Sequence, residues 1–214
     1  MLPEQRFRAV VGYDGTDFLG FQIQAQGRTV QGEIEQALAK VTQSSVRIDA
    51  AGRTDAGVHA TGQVIAFSTS WRHSIADLHR ALNATLPADI VISNLTTTDR
   101  GFHPRFGAIN RTYQYCVVNQ SWPDVLRRRY TYHISQPLDW ELMNKAAQYL
   151  IGHHDFASFG KPPQGNKTVR HVMKAAWTQD SQYWLTFTIT ANAFLYRMVR
   201  NIVGTLLQVG TGMT

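Results

Sequence analysis

The chain has 214 residues, 43% of them hydrophobic and 17% charged, which excludes global disorder and allows one or two domains with a sizeable core. Its single cysteine, Cys116, excludes an internal disulfide framework and a thiolate zinc cage, and it fits a reducing, cytoplasmic setting. The net charge of +6 and a pI near 9.7 point to a polyanionic partner, nucleic acid foremost.

From the N-terminus, Arg6–Tyr13 reads as a strand running into the turn Asp14-Gly15-Thr16. Val30, Ile34, Leu38 and Val41 follow helical spacing and predict a helix over Val30–Thr42. A short strand at Val46–Ala50 precedes a glycine-punctuated loop, 52–62, and an apolar strand at Val64–Ser68. Ile75–Leu86 reads as a helix stopped by Pro87, and Ile90–Leu95 as another strand. The polar stretch Thr96–Asn110 is the expected joint, dividing the chain into 1–107 and 108–214.

Beyond it, Thr112–Asn119 alternates, with Tyr113, Tyr115 and Val117 on one face and Gln114 and Cys116 on the other. Leu138–Ile151 predicts a helix opened by Asp139, Val169–Thr178 and Trp184–Thr190 two strands, and Phe194–Val209 a long helix. Its polar stripe holds Arg197 and Arg200 near the N-terminal end, where the macrodipole disfavours cations and an anion would be welcome. The succession predicts an α+β fold: two ferredoxin-like α/β sandwich halves with largely antiparallel sheets and a cleft between them. Charge divides with the halves. The first carries 10 basic and 10 acidic residues, and the second 11 and 5. Arginine supplies 16 of the 21 cations, the side chain suited to bidentate phosphate contacts. The N-terminal segment MLPEQRFRAVV places charges where a signal peptide needs an apolar core, and no apolar run of about 18 residues predicts a membrane span.

The segment richest in chemistry is Ala51-Gly52-Arg53-Thr54-Asp55-Ala56-Gly57-Val58-His59-Ala60. Asp55 stands among small residues, with glycines that permit tight turns and close approach to a ligand. The ordinary reading of such a loop is a structural turn capped by its aspartate. It is no phosphate loop, since the closing Gly-Lys-Ser/Thr is missing.

Read with the blocks VGYDGTDFLGFQ, RTYQY, GHHDFASF and NAFLYRMVRNIVGTLLQVG, the motif GRTDAGVHA resembles the tRNA pseudouridine synthase A family over essentially the full chain. The resemblance implies an isomerase converting uridine to pseudouridine in the anticodon stem-loop of tRNA, at positions 38 to 40, without a cofactor or metal. It implies Asp55 as nucleophile, Tyr113 against the target base, Arg197 paired with the catalytic carboxylate and Arg53 at the extruded nucleotide. A homodimer sharing one tRNA between protomers is implied as well. The carboxylate either attacks C1′ of the sugar or assists elimination to a glycal. Lifting the base out of its stack costs a few kcal/mol, which a stacking ring and a basic side chain offset.

Arg127, Arg128 and Arg129, with Arg200, are candidates for substrate phosphates, the alternative being a solvated face. His153, His154, Asp155 and His171 imitate a metal site, but adjacent histidines on one segment rarely converge on one ion. Family members continue beyond the block ending VGTGMT, so a strand of the second sheet is expected to be missing here. A non-catalytic RNA-binding module is the alternative function, arising if that shortening abolishes activity.

Overall fold

The computed structural model describes residues 3–162 and 165–213. They form two compact units, Met1–Ala108 and Ile109–Thr214, each α+β with its own hydrophobic core.

The first unit runs β1 (Gln5–Tyr13), α1 (Val30–Thr42), β2 (Ile48–Ala50), β3 (Ala60–Thr69), α2 (Ile75–Thr85) and β4 (Ile90–Thr98). Its sheet has the order β2-β3-β1-β4 with every pairing antiparallel. That is the order of the ferredoxin-like split βαβ arrangement. Alternation along β1 buries Phe7, Ala9, Val11 and Tyr13 against Ile34 and Leu38 of α1 and Leu78 and Leu82 of α2. Phe7 stacks on Phe67 at 5.4 Å. Burying each such side chain contributes roughly 1.5–3 kcal/mol.

The helices begin where local chemistry predicts. Thr29 caps α1 by accepting from the Gly32 amide, and Gln43 ends it in the left-handed region. Ser74 and Asp77 form a reciprocal capping box on α2.

The second unit runs β5 (Arg111–Asn119), β6 (Tyr132–Ile134), α3 (Trp140–Gln148), β7 (Gly152–Asp155), β8 (Val169–Ser181), β9 (Trp184–Ala191) and α4 (Met198–Gly210), with a 3₁₀ turn at Ala157–Phe159. The sheet order is β6-β5-β9-β8-β7, antiparallel except for the β5–β6 pair. The α+β architecture with mostly antiparallel sheets is common to both units, whereas this strand order is the second unit's own. β8 and β9 form a hairpin that places β9, not β8, beside β5. Met143 and Ala147 of α3 and Met198, Ile202 and Leu206 of α4 close its core over Val172, Phe187 and Ile189.

Strands β3, β4 and β8 run three to five residues longer than the sequence expectation, β2 is two residues shorter, and two helices are shortened. The last helix starts at Met198 instead of Phe194, because Tyr196 pairs with Lys161 as an isolated bridge and Arg197 takes a left-handed conformation, φ 62°. The third helix spans only Trp140–Gln148. Asp139 caps it by accepting from the Leu142 amide. Strands β6 and β7, three and four residues long, fall in segments where the pattern predicts none. β6 is held by Asn119, whose side-chain amide donates to the carbonyls of Ile134 and Gln136 while its oxygen accepts from the Leu138 amide.

Candidate functional site

In the first unit the loop between β2 and β3 carries Arg53 and Asp55, both exposed. It has no regular secondary structure, yet its backbone is fastened on both sides of Asp55. The Phe21 amide donates to the Thr54 carbonyl at 3.0 Å, and the Gly57 amide to the Phe18 carbonyl at 3.3 Å. The Val58 amide closes a turn onto the Asp55 carbonyl at 3.2 Å, with Gly57 at φ 75° in the third position, where such turns favour glycine. Gly20, at φ 102°, lies so close that a Cβ there would sit 2.8 Å from the Thr54 carbonyl oxygen.

The turn after β1 completes the support. The Tyr13 and Thr54 hydroxyls lie 2.8 Å apart. The Gly15 amide is 3.0 Å from Nδ1 of His59, and Asp14 Oδ1 is 3.0 Å from the same nitrogen. The neutral ring accepts from Gly15 there, while a protonated ring would donate to Asp14. Asp14 Oδ1 also accepts from the amide and hydroxyl of Thr16. Beneath the turn, the Arg28 guanidinium lies 4.3 Å above the Phe18 ring and is bonded to Asp89 and Glu33. The Asp89 contact leads in holding this guanidinium above its already high ordinary pKa. Within this unit the Asp55 carboxylate makes no hydrogen bond or ion pair among the described residues. It is an exposed hydrogen-bond acceptor on a loop whose backbone is fastened before and after it.

In the second unit Tyr113 and Tyr115 lie on the face of β5 that packs on the core. Phe194 meets Tyr113 edge-on at 5.0 Å, and Tyr132 meets Tyr115 edge-on at 6.4 Å. Burial pushes the Tyr115 hydroxyl above the usual phenol range, an effect partly offset by the positive charge of Arg200. Arg197 is the N-cap residue of α4 and stacks on the exposed ring of Tyr196 at 5.1 Å. A non-glycine residue at positive φ is strained, and such strain clusters at functional sites.

The segment 156–161 packs on the same region. The Asn201 side chain donates to the Phe159 carbonyl at 2.8 Å, and a Cβ on Gly160 would meet the Tyr196 carbonyl oxygen at 2.5 Å. Arg127, Arg128 and Arg129 are exposed, but the Arg127 guanidinium stacks on Trp184 at 4.5 Å. His153 and His171 stack across β7 and β8 with parallel rings 4.1 Å apart. No group of three or more metal-ligating side chains is present among the described residues, and no helix among them is long and apolar enough to cross a membrane.

Sequence reasoning singled out Asp55 but not the residues that hold its loop: Tyr13, Gly15, Phe18, Gly20 and His59. The signal for the first four was the block VGYDGTDFLGFQ at a strand end, and for His59 the motif GRTDAGVHA itself.

Residues 9–107 and 146–214 match the protein family described as tRNA pseudouridine synthase. Proteins named tRNA pseudouridine synthase A are similar to the chain over nearly its whole length. The one from Halalkalibacterium halodurans is 45% identical over 211 residues, covering 97% of this chain and 80% of that protein. The one from Brevibacillus brevis is 45% identical over 210 residues, covering 97% and 85%. The one from Bacillus subtilis is 44% identical over 210 residues, with the same coverage.

Proposed function

Because this chain belongs to the tRNA pseudouridine synthase family, we propose that it isomerises uridine to pseudouridine in tRNA with Asp55 as the nucleophile. The observation that carries this reading is the state of Asp55: an exposed carboxylate on a loop fastened before and after it.

The reaction breaks the bond from C1′ to N1 of the base, turns the base, and forms a bond from C1′ to C5. C5 loses a proton and N1 gains one. No electrons leave the substrate, so the protein's task is to hold, expose and activate. A carboxylate suits the step at C1′. A carboxylate held in place before the substrate arrives loses little ordering entropy when the reaction begins.

Within the same reading, Arg53 attends the extruded nucleotide and Tyr113 meets the target base. Arg197 is the arginine that acts in the chemical step, while Arg200, Arg127, Arg128 and Arg129 serve substrate phosphates. The proposed targets are positions 38 to 40 of the anticodon stem-loop, and the proposed working form is a homodimer.

The decisive experiment is tritium release from tRNA labelled at C5 of uridine, using the parent chain and Asp55→Asn. The amide keeps the shape of the carboxylate but is a poor nucleophile. The expected result is release by the parent and none by the variant, with tRNA affinity preserved in both. Multiple turnover by Asp55→Asn would overturn the assignment. A parent that binds tRNA but releases no label would instead be an RNA-binding module. Mapping pseudouridines in the product tRNA tests the positions.

A further inference from the structure

The backbone bonds around Asp55 would form whatever the side chains of Thr54 and Tyr13 were. The hydroxyl pair is different, because it depends on two particular side chains. Tyr13 is the last residue of β1 and is only 5% exposed, with its ring in the core 6.1 Å from Phe21. Phenylalanine would fill the same space. The phenol oxygen is a polar group at the edge of an apolar core and is unfavourable there unless bonded. Its partner is the side chain of Thr54, the residue immediately before Asp55. The same short stretch continues into Gly15, whose amide meets His59 on the far side of Asp55. A rigid strand end therefore reaches the loop both before and after the carboxylate.

We infer that Tyr13 and Thr54 are positioning residues for the isomerisation: their hydroxyl pair sets the reach and aim of the Asp55 carboxylate and takes no part in bond making. The inference rests on the reading of Asp55 as nucleophile. A strand end is a stiffer reference than a loop, and reacting groups must be placed within about half an ångström. Losing the pair removes the side-chain anchor and leaves the backbone bond from the Phe21 amide to the Thr54 carbonyl to hold the residue, so the Asp55 side chain gains latitude to shift.

The test is a double-mutant cycle of Tyr13→Phe and Thr54→Val, each removing one hydroxyl at nearly constant volume. Single-turnover tritium release with saturating protein is measured beside tRNA affinity and thermal melting. Each single variant should release label roughly tenfold more slowly, against the hundredfold that a full 1 Å displacement would cause. Affinity and melting temperature should stay close to the parent's. The double variant should be no slower than the slower single, because one interaction is lost only once. Thr54→Ser, which keeps the hydroxyl, should run near the parental rate.

Parental rates in both singles would overturn the inference. So would losses that multiply in the double variant, or rate losses tracking falls in melting temperature or affinity. Should Tyr13→Phe fold poorly, the contrast of Thr54→Val with Thr54→Ser decides alone. Asp55→Asn in the same assay separates the two claims. Turnover by that variant removes the nucleophile. An inactive Asp55→Asn beside fully active Tyr13→Phe and Thr54→Val removes only the positioning role.

Discussion

Gly15→Ala isolates the seam between the turn after β1 and the Asp55 loop. A Cβ at Gly15 would lie 2.1 Å from the Val58 carbonyl oxygen and 2.5 Å from its carbonyl carbon. Real Cβ atoms stay beyond about 3.0 Å, so one backbone must retreat by about 0.9 Å, and both atoms in the way are backbone. Overpacking of this kind costs roughly 1–3 kcal/mol. For a chain of this size that lowers Tm by roughly 2–12 °C. Val58 closes the turn onto Asp55, so the displacement falls within three residues of the carboxylate. A 1 Å error at a reacting group costs about 100-fold in rate. Gly15→Ala should therefore release label tens of times more slowly in single turnover at a temperature where it is fully folded, while binding tRNA nearly as the parent does. Thermal melting and the C5-tritium assay read the two effects separately. A variant that melts and reacts as the parent would refute the claim that this seam holds the site.

Three other expectations follow from the structure. Ser74→Ala removes the α2 cap and should cost about 1 kcal/mol in urea unfolding at neutral pH. The Ser74 hydroxyl also donates to the Asp77 carboxylate and holds it below its usual range, so that part of the gap is complete above the range and fades as pH falls through the depressed value, while the bond from the Asp77 amide to the Ser74 oxygen persists. The gap between parent and variant should shrink in acid. Replacing Arg127, Arg128 and Arg129 together with alanine should flatten the salt dependence of tRNA binding by roughly 0.7–0.9 in log–log slope per phosphate lost. Coincident slopes would mark the run as a solvated face. Arg197→Ala and Arg200→Ala, compared in single turnover and in binding, distinguish the arginine of the chemical step from a phosphate contact. A rate loss confined to Arg200→Ala would overturn the proposed role of Arg197 and assign it to Arg200 instead.

The sequence was most informative where a structure depends on near neighbours. α1 spans Val30–Thr42 as its apolar spacing predicts, with the Thr29 cap in place. β6 and β7 were hidden because strands of three or four residues, none of them buried, carry no usable period. The start of α4 was misplaced because the apolar pattern runs through Phe194 and Leu195, while the bridge from Tyr196 to Lys161 stops the helix from reaching them. The site divides in the same way. Asp55 stands out because a carboxylate among glycines is chemically conspicuous within ten residues. Its supports come from residues 13–21, some forty positions earlier, and only the antiparallel register of β1 with β3, which sets Tyr13 opposite Ala60, brings them alongside.

The meeting of segment 156–161 with the start of α4 has a consequence for how this protein can vary. Gly160 has no room for a side chain against Tyr196, Lys161 shares a bridge with that residue, and Asn201 reaches back to Phe159. The two blocks lie about forty residues apart in sequence but fit as lock and key. Substitutions in one should be tolerated only beside matching substitutions in the other. A chimera taking GHHDFASFGK from one relative and NAFLYRMVRN from another should fold less well than either parent, and exchanging both blocks together should restore it.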